Sequence, residues 1–278
     1  MSSPYKGANK GGSKNGFQGQ GAAPRTSAPK VSHKPVQAWA ESQWLLALPP
    51  VLSSLQLDLT EAQQAKLAAY MVLLAHWNST FNLTALRDPQ DMLSHHLTDC
   101  LAVLAPLARH LAERGTALAS ALTHGDSRQD GPQDSPQGGS GARLLDVGSG
   151  GGLPGVVLAI CCPQVQVTCV DTVGKKAAFI RQVAAELKLP NLRAEHARVE
   201  QLKGRYDLIT SRAFASLLDF VTLTRELLAE RAVWMAMKGK QPDDELAVLP
   251  PDVNVFHVEQ LNVPGLDAQR CLVWMRPD

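Results

Sequence analysis

The 278-residue chain is 45% hydrophobic and 19% charged, with a formal charge of +1, so it can bury a full core in one main domain with appendages. No apolar run approaches the roughly 20 residues that span a bilayer, and the N-terminus carries Lys, Gly and Ser where a secretory signal is apolar, so a cytoplasmic protein with no membrane partner is expected. Lys6, Lys10, Lys14, Arg25, Lys30 and Lys34 stand in residues 1–37 without an acid, leaving 21 basic against 26 acidic groups elsewhere, a net −5; a uniformly basic body is excluded, and a polyanion has to be met by a local patch or by the tail.

Residues 1–36, rich in Gly, Ser, Lys and Pro, cannot bury enough surface to offset chain entropy and are expected to form a disordered basic tail, either solubilising or tethering RNA nonspecifically. Residues 37–114 read as a helical portion. Thr60 followed by Gln63 forms a capping-box signal, and Leu67, Met71, Leu74 and Trp77 then recur at helical spacing. Asp88 before Pro89 is a second start signal, ahead of the stripe Met92, His96, Leu97, Leu101 and Leu104. Between the two lies "WNSTFNLTALRDP", whose polar residues predict a loop; its Asn82 opens an N-x-[ST] match without meaning for glycosylation in a cytoplasmic protein. Residues 115–142 end in the low-complexity run "LTHGDSRQDGPQDSPQGGSGA", expected as a surface insertion or linker.

From 143 to 278 short β-branched runs alternate with helical stretches. Strands are expected near 143–147, 165–170, 191–195, 206–210, 232–237, 253–259 and 270–276, with helices near 154–161, 174–188, 216–229 and 243–248. That alternation predicts an α/β fold, a mostly parallel sheet with helices on both faces. The five cysteines, Cys100, Cys161, Cys162, Cys169 and Cys271, are odd in number, lack ligand spacing and lie in apolar runs, so reduced core residues are expected and no metal.

In such a sheet the first strand-to-helix turn is the usual ligand site, and here it reads "LLDVGSGGGLPG" from 144 to 155. Gly148, Gly150 and Gly152 alternate as G-x-G-x-G, whereas the dinucleotide fingerprint wants Gly or Ala where Leu153 stands. The second strand ends at Asp171, 23 residues after Gly148, where a carboxylate can accept from ribose hydroxyls. Both NAD and S-adenosylmethionine offer a ribose. Asp146 ahead of the glycines suits the ammonium of S-adenosylmethionine and repels a pyrophosphate. Val199 and Glu200, beyond the third strand, are candidates for the adenine wall, with a solvated helix residue as the competing reading of Glu200.

The stretches "DVGSGGGLPG", "YDLITSRAFASLLDF" (206–220), "MKGKQPDDE" (237–245) and "HWNSTFNLTALRDPQDMLSHHLTD" (76–99) together resemble the bacterial glucose-inhibited division protein B family, the 16S ribosomal RNA guanine-N7 methyltransferases. The resemblance spans about residues 50–278 without the 122–142 stretch. It implies a class I S-adenosylmethionine-dependent methyltransferase, Rossmann-like with a seven-stranded sheet and an added N-terminal helical portion, acting as a monomer on 16S ribosomal RNA or the small ribosomal subunit. It also implies cofactor contacts at Gly148, Leu153, Val199, Glu200 and Arg212.

Guanine N7 carries an in-plane lone pair, so methyl transfer needs in-line positioning and no general base. In keeping with this, the chain lacks the [DN]-P-P-[YF] motif of exocyclic-amine methyltransferases and the Pro-Cys nucleophile of cytosine C5 enzymes; Cys161 and Cys162 precede Pro163 at a helix end. "LITSR" ends the fourth strand, so Ser211 and Arg212 are expected at the cleft, Arg212 as the catalytic residue bridging cofactor carboxylate and substrate through its planar fork. Phe214 is a candidate for stacking on a splayed base, with a core aromatic as the equal alternative. Lys238 and Lys240 are candidates for RNA phosphates, and Lys175, Lys176, Arg181 and Arg198 for a basic rim. Asn82, Arg87 and His95 or His96 are candidates for the acceptor side, although a histidine beside Leu97 is more often packed than catalytic. Two other classes compete: an NAD-dependent oxidoreductase, disfavoured by the missing third glycine, and a non-catalytic RNA-binding or ribosome-assembly module.

Overall fold

The computed structural model describes residues 37–113 and 142–278. The expected tail at 1–36 and the insertion up to Gly141 lie outside the described residues.

Seven strands follow the sequence expectation closely: β1 Arg143–Val147, β2 Gln166–Asp171, β3 Leu192–His196, β4 Tyr206–Arg212, β5 Leu228–Lys238, β6 Val253–Leu261 and β7 Arg270–Pro277. They form one sheet in the order β3-β2-β1-β4-β5-β7-β6. The first five strands run parallel, while β7 inserts antiparallel between β5 and β6. Strand order reverses between β1 and β4, so the glycine turn after β1 and the Ser-Arg pair ending β4 open on one crevice.

Side chains alternate across the sheet. Leu144, Val167, Cys169 and Leu208 point into a core shared with helices α2 Glu61–Phe81, α6 Gly155–Cys161 and α7 Gly174–Glu186. Leu145, Val147, Val170, Ile209 and Trp234 point the other way, toward α8 Leu217–Thr224. There the Trp234 indole donates to Thr224 Oγ1 at 2.8 Å, and the Thr224 hydroxyl donates to the Phe220 carbonyl at 2.6 Å. The expected last helix is a single turn, α9 Asp243–Leu246. Cys100, Cys162, Cys169 and Cys271 are buried as their apolar runs predict, and Cys161 is partly so.

The helical portion holds α1 Glu41–Leu55, α2, α3 Pro89–Met92, a π-helical segment Leu93–Thr98, α4 Asp99–Leu101 and α5 Leu104–Glu113. Thr60 Oγ1 accepts from the Gln63 N–H while Gln63 Oε1 accepts from the Thr60 N–H, so the capping box forms. Gln63 also donates from Nε2 to the Cys161 carbonyl at 3.0 Å, binding α2 to the end of α6. Pro49 and Pro50 lie inside α1; the carbonyls that lose their intrahelical donors one turn back belong to Leu45 and Leu46, both exposed residues. The loop expected to begin at Trp77 begins instead at Asn82, which ends α2 with φ 50°. Asn78 is the reason: it is buried, accepts from the Thr84 N–H through Oδ1 and donates to the Leu86 carbonyl, so a polar residue in the helix organises the returning loop. No helix of the described residues is long and apolar enough to cross a membrane.

Candidate active site

The turn after β1 is shaped by its glycines. Gly148 has φ 70° and Gly152 φ 89°, values that side chains rarely adopt. A Cβ at Gly148 would stand 2.8 Å from Phe214 Cδ2, and one at Gly152 2.3 Å from Val156 Cγ2. The turn is also held from behind, since Tyr70 of α2 donates its hydroxyl to the Gly151 carbonyl at 2.6 Å and Leu74 would lie 2.9 Å from a Cβ at Gly151.

Two carboxylates fix the turn from either side. Asp171 accepts from the Gly150 N–H at 3.0 Å through Oδ2 and from the Val173 N–H at 2.8 Å through Oδ1, with Lys176 Nζ 3.8 Å away. Asp146 is fully buried and accepts from the Gly155 N–H at 2.9 Å, leaving Oδ1 without a partner among the described residues. Burial raises its pKa to about 6 against the pull of the Gly155 hydrogen bond. The Asp146 carboxylate lies beneath the turn, where its bond to Gly155 ties it to the start of α6. Leu153 and Val199 are buried at the turn and at the short 3₁₀ segment Val199–Gln201, whereas Glu200 is exposed, 4.0 Å from Arg198.

Arg212 ends β4 with its side chain 20% exposed. Its Nη1 donates to the His95 carbonyl at 2.8 Å and to Asp99 Oδ2 at 3.1 Å. The other Asp99 oxygen accepts from Arg270 Nε at 3.0 Å. Burial works against the Arg212 charge, yet neighbouring Cys100 and Asp99 hold its pKa above the ordinary arginine value. One edge of the fork expected to bridge cofactor and substrate is thus committed to the helical portion. Asp99 and Arg270 were missed from the sequence. The available signal was an acid set among Leu97, Cys100 and Leu101, since a carboxylate on an apolar stripe has to be paired.

Other candidates fall in different places. Ser211 is buried beside Val147, and Phe214 packs edge-on to Phe220 over Gly148, serving the core reading while bordering the turn. Lys238 does not offer a free amine for RNA: Nζ holds both Glu245 oxygens at 2.9 and 2.8 Å, and Glu245 also accepts from the Leu217 N–H. Its neighbour Lys240 is exposed. Asn82 and Arg87 bind each other, with Arg87 also reaching the Asn78 carbonyl, so neither hydrogen-bonds to the turn. His96 is buried against Thr84 Oγ1 at 2.6 Å, and burial, seconded by Arg212, lowers its pKa to about 4. Of the expected rim, Lys176 and Arg198 are paired with acids and Arg181 donates to the Ala194 carbonyl. Burial pushes the Cys162 thiol up to about 12, far from a thiolate nucleophile. Among the described residues no group of three His, Cys, Asp or Glu side chains is arranged to hold a metal.

The arrangement can hold a nucleoside-type ligand at the turn, offer the Asp171 carboxylate to its hydroxyls, and present a guanidinium from the neighbouring strand. A family model described as GidB, rRNA small subunit methyltransferase G, matches residues 63–113 and 136–273. The ribosomal RNA small subunit methyltransferase G of Acidovorax sp. (strain JS42) is 57% identical over 225 residues, covering 81% of this chain and 92% of its own. That of Paracidovorax citrulli is 57% identical over 227 residues (81% and 86%), and that of Polaromonas naphthalenivorans 53% identical over 226 (81% and 92%). With its mixed sheet reversing at the glycine turn and its helical portion built against that turn, the chain belongs to the GidB family, the rRNA small subunit methyltransferase G enzymes.

Proposed function

We propose that the protein transfers a methyl group from S-adenosylmethionine to N7 of a guanine in 16S ribosomal RNA, as a cytoplasmic monomer acting on the small subunit or its RNA. The observation that carries this reading is the convergence, at the β1/β4 reversal, of the glycine turn, Asp171 and Arg212 in a member of this methyltransferase family.

The residues fit the cofactor. Gly148, Gly150, Gly152 and Leu153 form its cradle, Asp171 meets the ribose, Val199 and Glu200 flank the adenine, and Arg212 holds the carboxylate end. Asp146, buried with one oxygen unpartnered, supplies negative potential under the turn that a cationic ligand compensates. When bound, S-adenosylmethionine would supply an electrophilic methyl on its sulfonium for direct attack by the N7 lone pair, with S-adenosylhomocysteine as the leaving group and no covalent enzyme intermediate. The chain's own work is positional: Asp99 and the His95 carbonyl orient Arg212, and Phe214 and Ser211 border the space for the base.

The test is incubation of the protein with methyl-labelled S-adenosylmethionine and unmodified small-subunit RNA, naked and as particles, followed by cleavage chemistry specific for N7-methylguanine. A labelled cleavage product that Arg212→Ala abolishes supports the reading. Cofactor binding without label in either substrate overturns it.

A further inference from the structure

The body outside the N-terminal 37 residues carries net charge −5, so a polyanionic substrate has to find its positive potential locally. At the rim of the crevice most of that potential is already neutralised: Lys176 pairs with Asp171, Arg198 with Glu200, Lys238 with Glu245, and Arg212 and Arg270 share Asp99. Cations without a carboxylate partner gather at the other end of the sheet. A groove of about 280 Å³ there is lined by Arg143, Arg193, Lys203 and Arg205, with Gln166 and Thr168 in its floor.

The topology makes this groove. Arg143 pairs in register with Gln166, and Thr168 with Arg193, so these four side chains share one face of β1, β2 and β3. The crossover helices α6 and α7 pack on the opposite face. On the groove face, β3 returns to β4 through a 3₁₀ turn of only three residues, so none of the described helices lines the groove at the amino ends of these strands. Gln166 and Arg193 are exposed and Thr168 is half-buried in a central strand. Among the described residues the side chains of Arg143, Arg193 and Lys203 make no ion pair or hydrogen bond, and Arg205 spends Nη1 on the carbonyls of Glu226 and Leu228. Asp207 accepts from the Arg143 N–H at 2.7 Å, and neither it nor Glu195, two residues beyond Arg193 on the same face of β3, lines the groove.

We propose that this groove is a second RNA-binding site, in which Arg143, Arg193, Lys203 and Arg205 hold backbone phosphates of the ribosomal RNA on the side of the sheet remote from the crevice. The proposal rests on the function proposed above and adds where the substrate is gripped. Strands of five or six residues separate the groove from the crevice by about 17–20 Å, so the RNA is held at two points and its path over the body is fixed. Phosphate contacts of this kind set orientation and register and carry no base specificity.

The test compares the wild type with Arg193→Ala/Lys203→Ala and with a control that removes equal charge elsewhere, Lys66→Gln/Lys188→Asn. Methylation of unmodified small-subunit particles is followed across a salt series. For the groove variant we expect KM for particles to rise about tenfold, and the dependence of log affinity on log salt to flatten by about 1.5, as for two lost phosphate contacts. Its kcat and cofactor Kd should equal those of the wild type, and the control should leave KM unchanged. Equal KM and salt slope in wild type and groove variant, or an equal loss in the control, overturns the groove. A wild type that methylates no particle at all overturns the proposed function instead.

Discussion

Replacing Asp99 by Ala tests whether the helical portion and the methyltransferase sheet are electrostatically fastened. Asp99 is 2% exposed and serves two arginines through its two oxygens, at 3.1 and 3.0 Å. Removing one partner of a fully buried ion pair costs about 3–5 kcal/mol. Arg212 and Arg270 are 20% and 21% exposed, so water recovers part of that loss and about 2–3 kcal/mol remains. In a domain of this size each kcal/mol moves Tm by about 2–4 °C, which gives a fall of about 5–10 °C. Arg270→Ala leaves Asp99 paired with Arg212 and should cost less than half as much. Thermal unfolding checks the order, and calorimetric titration checks the function, because an Arg212 released from Asp99 should bind S-adenosylmethionine about tenfold more weakly. A Tm change under about 1 °C for Asp99→Ala, or a larger loss for Arg270→Ala, would refute the reasoning.

Two buried groups give opposing pH dependences. Burial raises the Asp146 pKa to about 6 from 3.8, so the folded state binds this proton more tightly and stability is gained as pH falls through that window; burial lowers the His96 pKa to about 4 from 6.5, so stability is lost as pH falls from 6.5 to about 4. Each is worth up to about 3 kcal/mol, and urea titrations from pH 4 to 8 should show Asp146→Asn deepening the acid loss and His96→Asn removing it; profiles parallel to the wild type contradict both assignments. Gly152→Ala puts a Cβ at φ 89° and 2.3 Å from Val156 Cγ2, and should lower stability by at least about 1–2 kcal/mol together with cofactor affinity; unchanged cofactor affinity by titration argues against the cradle. Glu245→Ala frees Lys238 and the first N–H of α8, so Tm should drop by a few degrees, at about 1 kcal/mol for a partly exposed pair; no measurable change means that water serves both groups equally well.

Local rules carried the reading of the fold a long way. The Thr60 box, the Asp88-Pro89 start and all seven strands depend on near neighbours and on period-two burial, and each is visible in a short window. The antiparallel insertion of β7 between β5 and β6 is not visible there, because it depends on which edge remains to be paired. Pro49 and Pro50 inside α1, and Asn78 inside α2, defy window rules for a tertiary reason: exposure in one case and a loop's hydrogen bonds in the other. At the site, residue types and spacing disclosed the glycine turn and Asp171, but not who neutralises whom. Lys238 meets Glu245 only because α9 folds back toward β5, and Arg212 meets Asp99 across a sequence separation of 113.

The hydroxyl of Tyr70 and the methyls of Leu74 at the back of Gly151 bear on how such an enzyme can be rebuilt or inherited. A chain begun at Arg143 would retain the glycine turn, Asp171 and Arg212, yet the turn would stand with a carbonyl unpaired and a hollow where Leu74 belongs. The helices before the sheet are therefore scaffolding poured together with the cofactor cradle. Exchanging them for another enzyme's substrate-reading module requires carrying α2 along, or redesigning the turn that leans on it.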